Sequence, residues 1–199
     1  MGLFASEYLA KEKENVTLIV RPSQIEDIDA ILRIKLDPRV ASHQYAVDVI
    51  AYSEMLQRFL GGDNKTGILT TQFSTIDKDG ESIGYVRHDH YELDGVKIVS
   101  CAWNLTSNRW GQGIMKLSLT HLLNEWILGI EVQHVFADHF RGNERCKRLL
   151  DNLAFIFQEI PLLERLTTAY QQRSLKWVIR RRMDAITWKR ISPEQLPQD

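Results

Sequence analysis

Cysteine is nearly absent from this chain of 199 residues, and the two present, Cys101 and Cys146, form neither a CxxC pair nor part of a Cys/His ligand set. That leaves a disulfide framework and a structural zinc site without support, so no metal is expected and a reducing cytoplasm is the expected location. An excess of either charge is missing too: 25 Lys and Arg face 26 Asp and Glu, a formal net charge of −1. Nothing global draws the molecule to nucleic acid or to an anionic membrane, and neither is expected as a partner. Apolar runs long enough to span a bilayer are also lacking, and no secretory leader is legible. What remains is apolar content of 44%, near the globular average, which at this length suits one compact domain. Residues 16–191 are expected to form it, with an arm at 1–15, read as a short docking helix or a loose segment, and a tail at 192–199.

The informative stretch lies between Asn104 and Ile127. Gly111 and Gly113 follow an apolar strand candidate (Val96 to Trp103) and precede a run that puts Met115, Leu119, Leu122 and Trp126 on one helical stripe. Strand, glycine turn and helix together read either as a plain tight turn before a helix or as an anion site, in which glycine lets the backbone approach a ligand closely and the first helical N–H groups point at it. The spacing excludes a P-loop, and Lys116 stands where a dinucleotide turn needs its third glycine.

Other elements follow from periodicity. Val16 to Val20 reads as a strand, and Ser23 as the cap of a helix with Ile28, Ile31, Leu32 and Leu36 on one side. Val47 to Leu60 reads as a second amphipathic helix closed by Gly61-Gly62. Strands are expected at Thr66 to Ser74 and Ser82 to Arg87 around an Asp79-Gly80 hairpin turn, at Val132 to Asp138, at Phe155 to Glu159 and at Ala185 to Arg190. The segment from Leu162 to Arg182 has no assignment; with Trp177 and Val178 it is a candidate interface for a homodimer. The basic cluster Lys176, Arg180, Arg181, Arg182, Lys189 and Arg190 reads either as a solvated face or as a site for an acidic substrate or coenzyme phosphate.

Asn108-Arg109-Trp110-Gly111-Gln112-Gly113 resembles the coenzyme A loop of the GNAT acetyltransferases, Gln/Arg-x-x-Gly-x-Gly/Ala, with Asn108 at the first position. Its Trp-Gly-Gln-Gly-Ile form is most similar to the branch containing the ribosomal-protein N-terminal acetyltransferases. Leu18-Ile19-Val20-Arg21-Pro22 with Glu26-Asp27, and Ile83-Gly84-Tyr85, look like the same branch. Asn143 to Cys146 and Leu153-Ala154-Phe155 resemble the family's Asn-x-x-Ser and Leu-Gly-Phe, with Cys146 for Ser and Ala154 for Gly. The resemblance spans about residues 16–190 and implies an α/β (α+β) fold: a mixed, mostly antiparallel sheet of about six to seven strands flanked by helices, binding acetyl-CoA in a gap between two strands.

The resemblance implies that backbone groups of Trp103, Asn104 and Leu105 pair with pantetheine, and that Arg109, Trp110, Gly111, Gln112, Gly113 and Ile114 hold the pyrophosphate. Acetyl transfer to an amine, by direct attack in a ternary complex, needs a neutral amine, stabilisation of an oxyanion and a proton for the departing thiolate. The Leu105 N–H is the oxyanion candidate; Cys146 either takes the place of the proton-giving Ser or serves as a small buried apolar residue, and Asn143 orients the cofactor or the short helix. The family's usual strand Glu aligns with Ser100, so His88 and His90, sharing one strand face and titrating near neutrality, are the candidate bases; a solvated strand face, a two-histidine metal site, and water-mediated deprotonation without a dedicated residue are the other readings. The implied acceptor is a primary amine, on a protein N-terminus or a small molecule. A coenzyme A-binding regulatory module of the same fold is the alternative.

Overall fold

The computed structural model describes residues 8–11, 17–44, 47–159 and 178–191. Among these, nine strands form one sheet: β1 (Tyr8–Lys11), β2 (Thr17–Pro22), β3 (Lys65–Thr66), β4 (Leu69–Lys78), β5 (Glu81–Leu93), β6 (Val96–Leu105), β7 (His134–Phe140), β8 (Ile156–Gln158) and β9 (Val178–Asp184). Their order is β1-β2-β4-β5-β6-β7-β9-β8, with the two-residue β3 paired beside β4. Every pairing is antiparallel except β6 with β7. The count exceeds the expected six to seven because β1, in the segment read as a docking helix or loose arm, pairs with β2, and because β3 adds a short edge.

The hairpins form where the turn chemistry demands. Asp79-Gly80 and Asp94-Gly95 both take positive φ at both residues, the two-residue turn that matches strand twist. Between β4 and β5 the register shifts at Ile76/Asp77, leaving Ile83 without a partner and reversing the facing of the residues that follow. From Tyr85 onward, odd-numbered residues of β5 face one side of the sheet and even-numbered ones the other.

Each side carries its own core. On one lie α4 (Ile114–Asn124), a π-helical turn (Glu125–Gly129) and α5 (Glu144–Asn152), whose buried residues join Val86, Val99, Val135 and Met183 of the sheet. The expected stripe Met115, Leu119, Leu122 and Trp126 is buried throughout. On the other side, α1 (Ile28–Leu36), the four-residue α2 (Pro38–Ala41) and α3 (Val49–Leu60) cover Phe73 and Tyr85 with Ile28, Ile31, Ile34 and Leu56. Burying one such aliphatic side chain stabilises the fold by about 1.5–3 kcal/mol.

Four expectations need correction here. Ser23 does not cap a helix; its hydroxyl bonds Thr75 at 2.7 Å, and a 3-10 turn (Ile25–Asp27) comes first. Ile34, not Leu36, completes the buried stripe of α1. Val47 stays outside α3, which Asp48 caps by accepting from the Ile50 and Ala51 amides. Ala185–Ile191 is helix α6 rather than the last strand, which is β9. Trp188 lies on the inward side of α6, fully buried, with its Nε1 donating to Asn124 Oδ1 at 2.8 Å.

Candidate active site

The parallel pair β6–β7 is joined only from Ile98↔His134 to Cys101↔Ala137. Both strands run on, β6 to Leu105 and β7 to Phe140, so the sheet parts beyond Cys101 and Ala137. Thr106 N–H donates to Ile83 O at 2.8 Å, so by strand alternation Ala102 and Asn104 bond toward β5 while Trp103 and Leu105 turn their N–H groups into the split. Asn104 therefore offers its side chain rather than its backbone: its Nδ2 donates to Tyr85 Oη at 2.7 Å, and Tyr85 Oη lies 3.3 Å from Tyr52 Oη. Gly84 sits where β6 presses closest; a Cβ there would stand 2.9 Å from both the Asn104 carbonyl and Leu105 Cδ1.

Past the split the chain makes a 3-10 turn (Ser107–Arg109) and enters the glycine loop. Gly111 and Gly113 take φ of 78° and 77°, the left-handed region that side chains disfavour, and a Cβ at either would meet only open space. Gly113 is the N-cap of α4, which has no side-chain cap, so the first N–H groups of the helix are left for a ligand. Trp110 closes the loop from behind, donating from Nε1 to Leu105 O at 2.9 Å beneath the Arg145 guanidinium, 4.7 Å from its ring.

Split and loop open into a single cavity of about 870 Å³. Trp103, Asn104, Leu105, Arg109, Trp110, Gly111, Gln112, Gly113, Ile114, Asn143 and Cys146 all line it. His88 and His90 do not. They share a face as expected, but it is the even-numbered face of β5, under α4, where both rings pack on Trp126 and His88 bonds Ser74 at 3.0 Å and His90 at 2.6 Å. Burial pushes His88 well below the usual histidine range and takes His90 down to about 4, so both are neutral packing groups away from the cavity. The odd-numbered Arg87 and Asp89 line the cavity instead. No cluster of three metal-ligating groups occurs among the described residues.

The basic cluster divides: Lys189 and Arg190 are exposed on α6, as a solvated face would be, while Arg180, Arg181 and Arg182 of β9 are only partly exposed. Arg180 lines the cavity and holds both oxygens of Asp138 at 2.9 and 3.0 Å; Arg181 pairs with Asp151 at 3.2 Å, and Arg182 with Gln158 and Asp184. Lys176 lies outside the described residues.

The sequence profile described as "Acetyltransferase (GNAT) domain" matches residues 17–156. The chain belongs to the GNAT acetyltransferase family. Acetyl-CoA is the acetyl donor of this GNAT enzyme, an N-acetyltransferase. Solved structures similar to it include the ribosomal-protein-S5-alanine acetyltransferase of Vibrio fischeri, at 14% identity over 92% of this chain and 99% of that one, TM-score 0.70. Mycobacterium smegmatis RimJ in complex with CoA-disulfide gives 16% identity over 92% and 85%, TM-score 0.66. A solved structure from T. thermophilus gives 17% over 98% and 97%, TM-score 0.69. At such identities the likeness is one of fold. Among curated proteins no sequence matches.

The residues present fit the coenzyme. Basic side chains line the cavity along with the loop, among them Arg109, Lys116, Arg145 and Arg148. Two buried nitrogens of lining residues, Arg109 Nε and His139 Nε2, have no hydrogen-bond partner among the described residues. Asn143 Oδ1 accepts from Cys146 N at 3.1 Å, capping α5, so of its two expected roles the structure shows the helix-orienting one. Burial raises the Cys146 thiol to about 12 and lifts Cys101 further, so both remain thiols. Sequence reasoning missed Lys35, Arg87, Arg145 and Arg148 as cavity residues. Only the last two carried a signal: basic residues three apart on α5, hence on one face.

Proposed function

We propose that this GNAT enzyme acetylates a cationic primary amine, on a protein N-terminus or a small molecule, by direct attack in a ternary complex. The observation that carries the reading is the parting of β6 and β7 directly ahead of an uncapped, glycine-entered helix. When bound, acetyl-CoA supplies an activated acetyl thioester. The N–H groups that open α4 and the guanidinium groups of Arg109, Arg145 and Arg148 hold its phosphates, and the Trp103 and Leu105 amides meet the arm lying in the split. In this reading the Leu105 N–H, held in the sheet, steadies developing negative charge.

Direct attack is favoured because Cys101 and Cys146 keep their protons and make poor nucleophiles. For the same reason Cys146 orients by hydrogen bonding rather than giving up its proton: a group near 12 is about 3 units too weak an acid to protonate an ordinary thiolate efficiently.

The amine end is served by Asp89. Thr71 Oγ1 at 2.6 Å and Arg87 Nε and Nη2 at 3.2 and 3.0 Å all bond its Oδ1, leaving Oδ2 to receive an ammonium. Asp138, with both oxygens held by Arg180, is already committed. The test is thioester consumption with a panel of N-terminal peptides, including those of ribosomal proteins, and small amines. Turnover with cationic primary amines is expected; turnover only with alcohols or anionic acceptors would refute the assignment.

A further inference from the structure

One primary amine is already built into the acetyl-CoA cavity. Lys35, on the last turn of α1, lines it together with Ala102, Trp103, Asn104 and Leu105, and α1 packs over β5 and β6. The side chain is held rather than loose. Its Nζ donates to Gln44 Oε1, Gln44 Nε2 donates back to the Lys35 carbonyl at 2.9 Å, and the Tyr52 ring lies 5.5 Å beneath the nitrogen. The charged group acting on it is the Arg87 guanidinium of β5; no carboxylate among the described residues pairs with it.

We propose that Lys35 is itself an acetyl acceptor: with acetyl-CoA bound and no other amine in the cavity, its Nζ takes the acetyl group. The inference rests on the reading that the coenzyme occupies this cavity. The Nζ lone pair attacks the thioester carbonyl carbon, the C–N bond forms and the C–S bond breaks. The proton lost from nitrogen goes to the departing sulfur, giving an acetyl-lysine and free coenzyme A.

Physical chemistry favours this lysine over others. Burial, reinforced by Arg87, lowers Lys35 to about 8. About a quarter of it is then neutral at pH 7.5, against about 0.1% of an ordinary lysine, so the reactive form is enriched on the order of 200-fold before proximity is counted. Acetylation removes the ammonium and fills the amine end of the cavity, so the enzyme limits itself when acceptor is scarce.

The experiment is intact-mass and peptide mapping of the full chain after incubation with acetyl-CoA without added amine, with coenzyme binding followed in the same samples by calorimetry. A single added acetyl group at Lys35 is expected, forming at least tenfold faster than at exposed Lys147, absent at that position in Lys35→Arg, and lost in Gly111→Asp, where coenzyme binding is impaired. Coenzyme binding with Lys35 unmodified would overturn the proposal and leave the coenzyme reading standing. Modification of Lys35 at the rate of Lys147, or persisting in Gly111→Asp, would assign it to solution chemistry and overturn it equally. Absence of coenzyme binding would remove both.

Discussion

The two ends of the cavity are made of different material. The end proposed for the coenzyme is mostly main chain: the amides of a glycine turn, the first turn of α4, and the strand groups of Trp103 and Leu105 that β7 leaves unpaired. The end proposed for the acceptor is side chain: Lys35, Arg87 and Asp89, with Asn104 held by Tyr85, whose hydroxyl meets that of Tyr52. A site built of backbone asks only that few side chains intrude, so its sequence can drift while its shape survives, whereas a site built of side chains changes with each substitution.

The largest effect that would break this contrast is a charge placed in the main-chain end. Gly111→Asp sets a carboxylate against the diphosphate in a left-handed turn, and coenzyme affinity should fall on the order of 100-fold, about 2.7 kcal/mol. Titration calorimetry checks it, and affinity within threefold of the parent would show that the loop does not hold the phosphates. At the other end, Asp89→Asn keeps an oxygen for Thr71 and Arg87 but removes the charge. Acceptor KM should rise about tenfold, about 1.4 kcal/mol, with coenzyme affinity unchanged; equal losses for both ligands would erase the distinction between the ends.

A smaller test concerns the turn that follows α5, outside the cavity. Ala154 takes φ of 59° where the family motif has glycine, and an L residue held there costs about 1–2 kcal/mol. Ala154→Gly should relieve part of that, offset by the entropy glycine loses on folding. A rise of about 2 °C in Tm by calorimetry is expected; a fall would mean the Ala154 methyl contributes more by packing on the core than its backbone costs.

The same division decided what the sequence revealed. Strand, turn and helix around Gly111 and Gly113 were legible because the geometry requires those residue types, and Asp79-Gly80 announced its hairpin for the same reason. The facing of β5 was not legible, since the register shift at Ile76/Asp77 decides which of His88 or Asp89 meets the cavity, and a bulge leaves no clear mark in one sequence. Lys35 escaped notice because it sits in an amphipathic pattern where lysine is ordinary; only the fold over β5 and β6 makes it a cavity residue. The last strand was misplaced because Ile186-Thr187-Trp188 is β-rich while Arg180-Arg181-Arg182 looks solvated, and pairing with Asp138, Asp151 and Asp184 is what allows that run into the sheet.

Amide hydrogen exchange of the full chain with and without coenzyme A tests the central claim most directly, because it reads main-chain donors one by one. Protection should appear at Gly111 to Lys116 and at Trp103 and Leu105, with the already paired Ala102 amide unchanged. Binding of the coenzyme with those amides exchanging as freely as before would contradict the claim that the main chain of the parted sheet and glycine turn is what holds it.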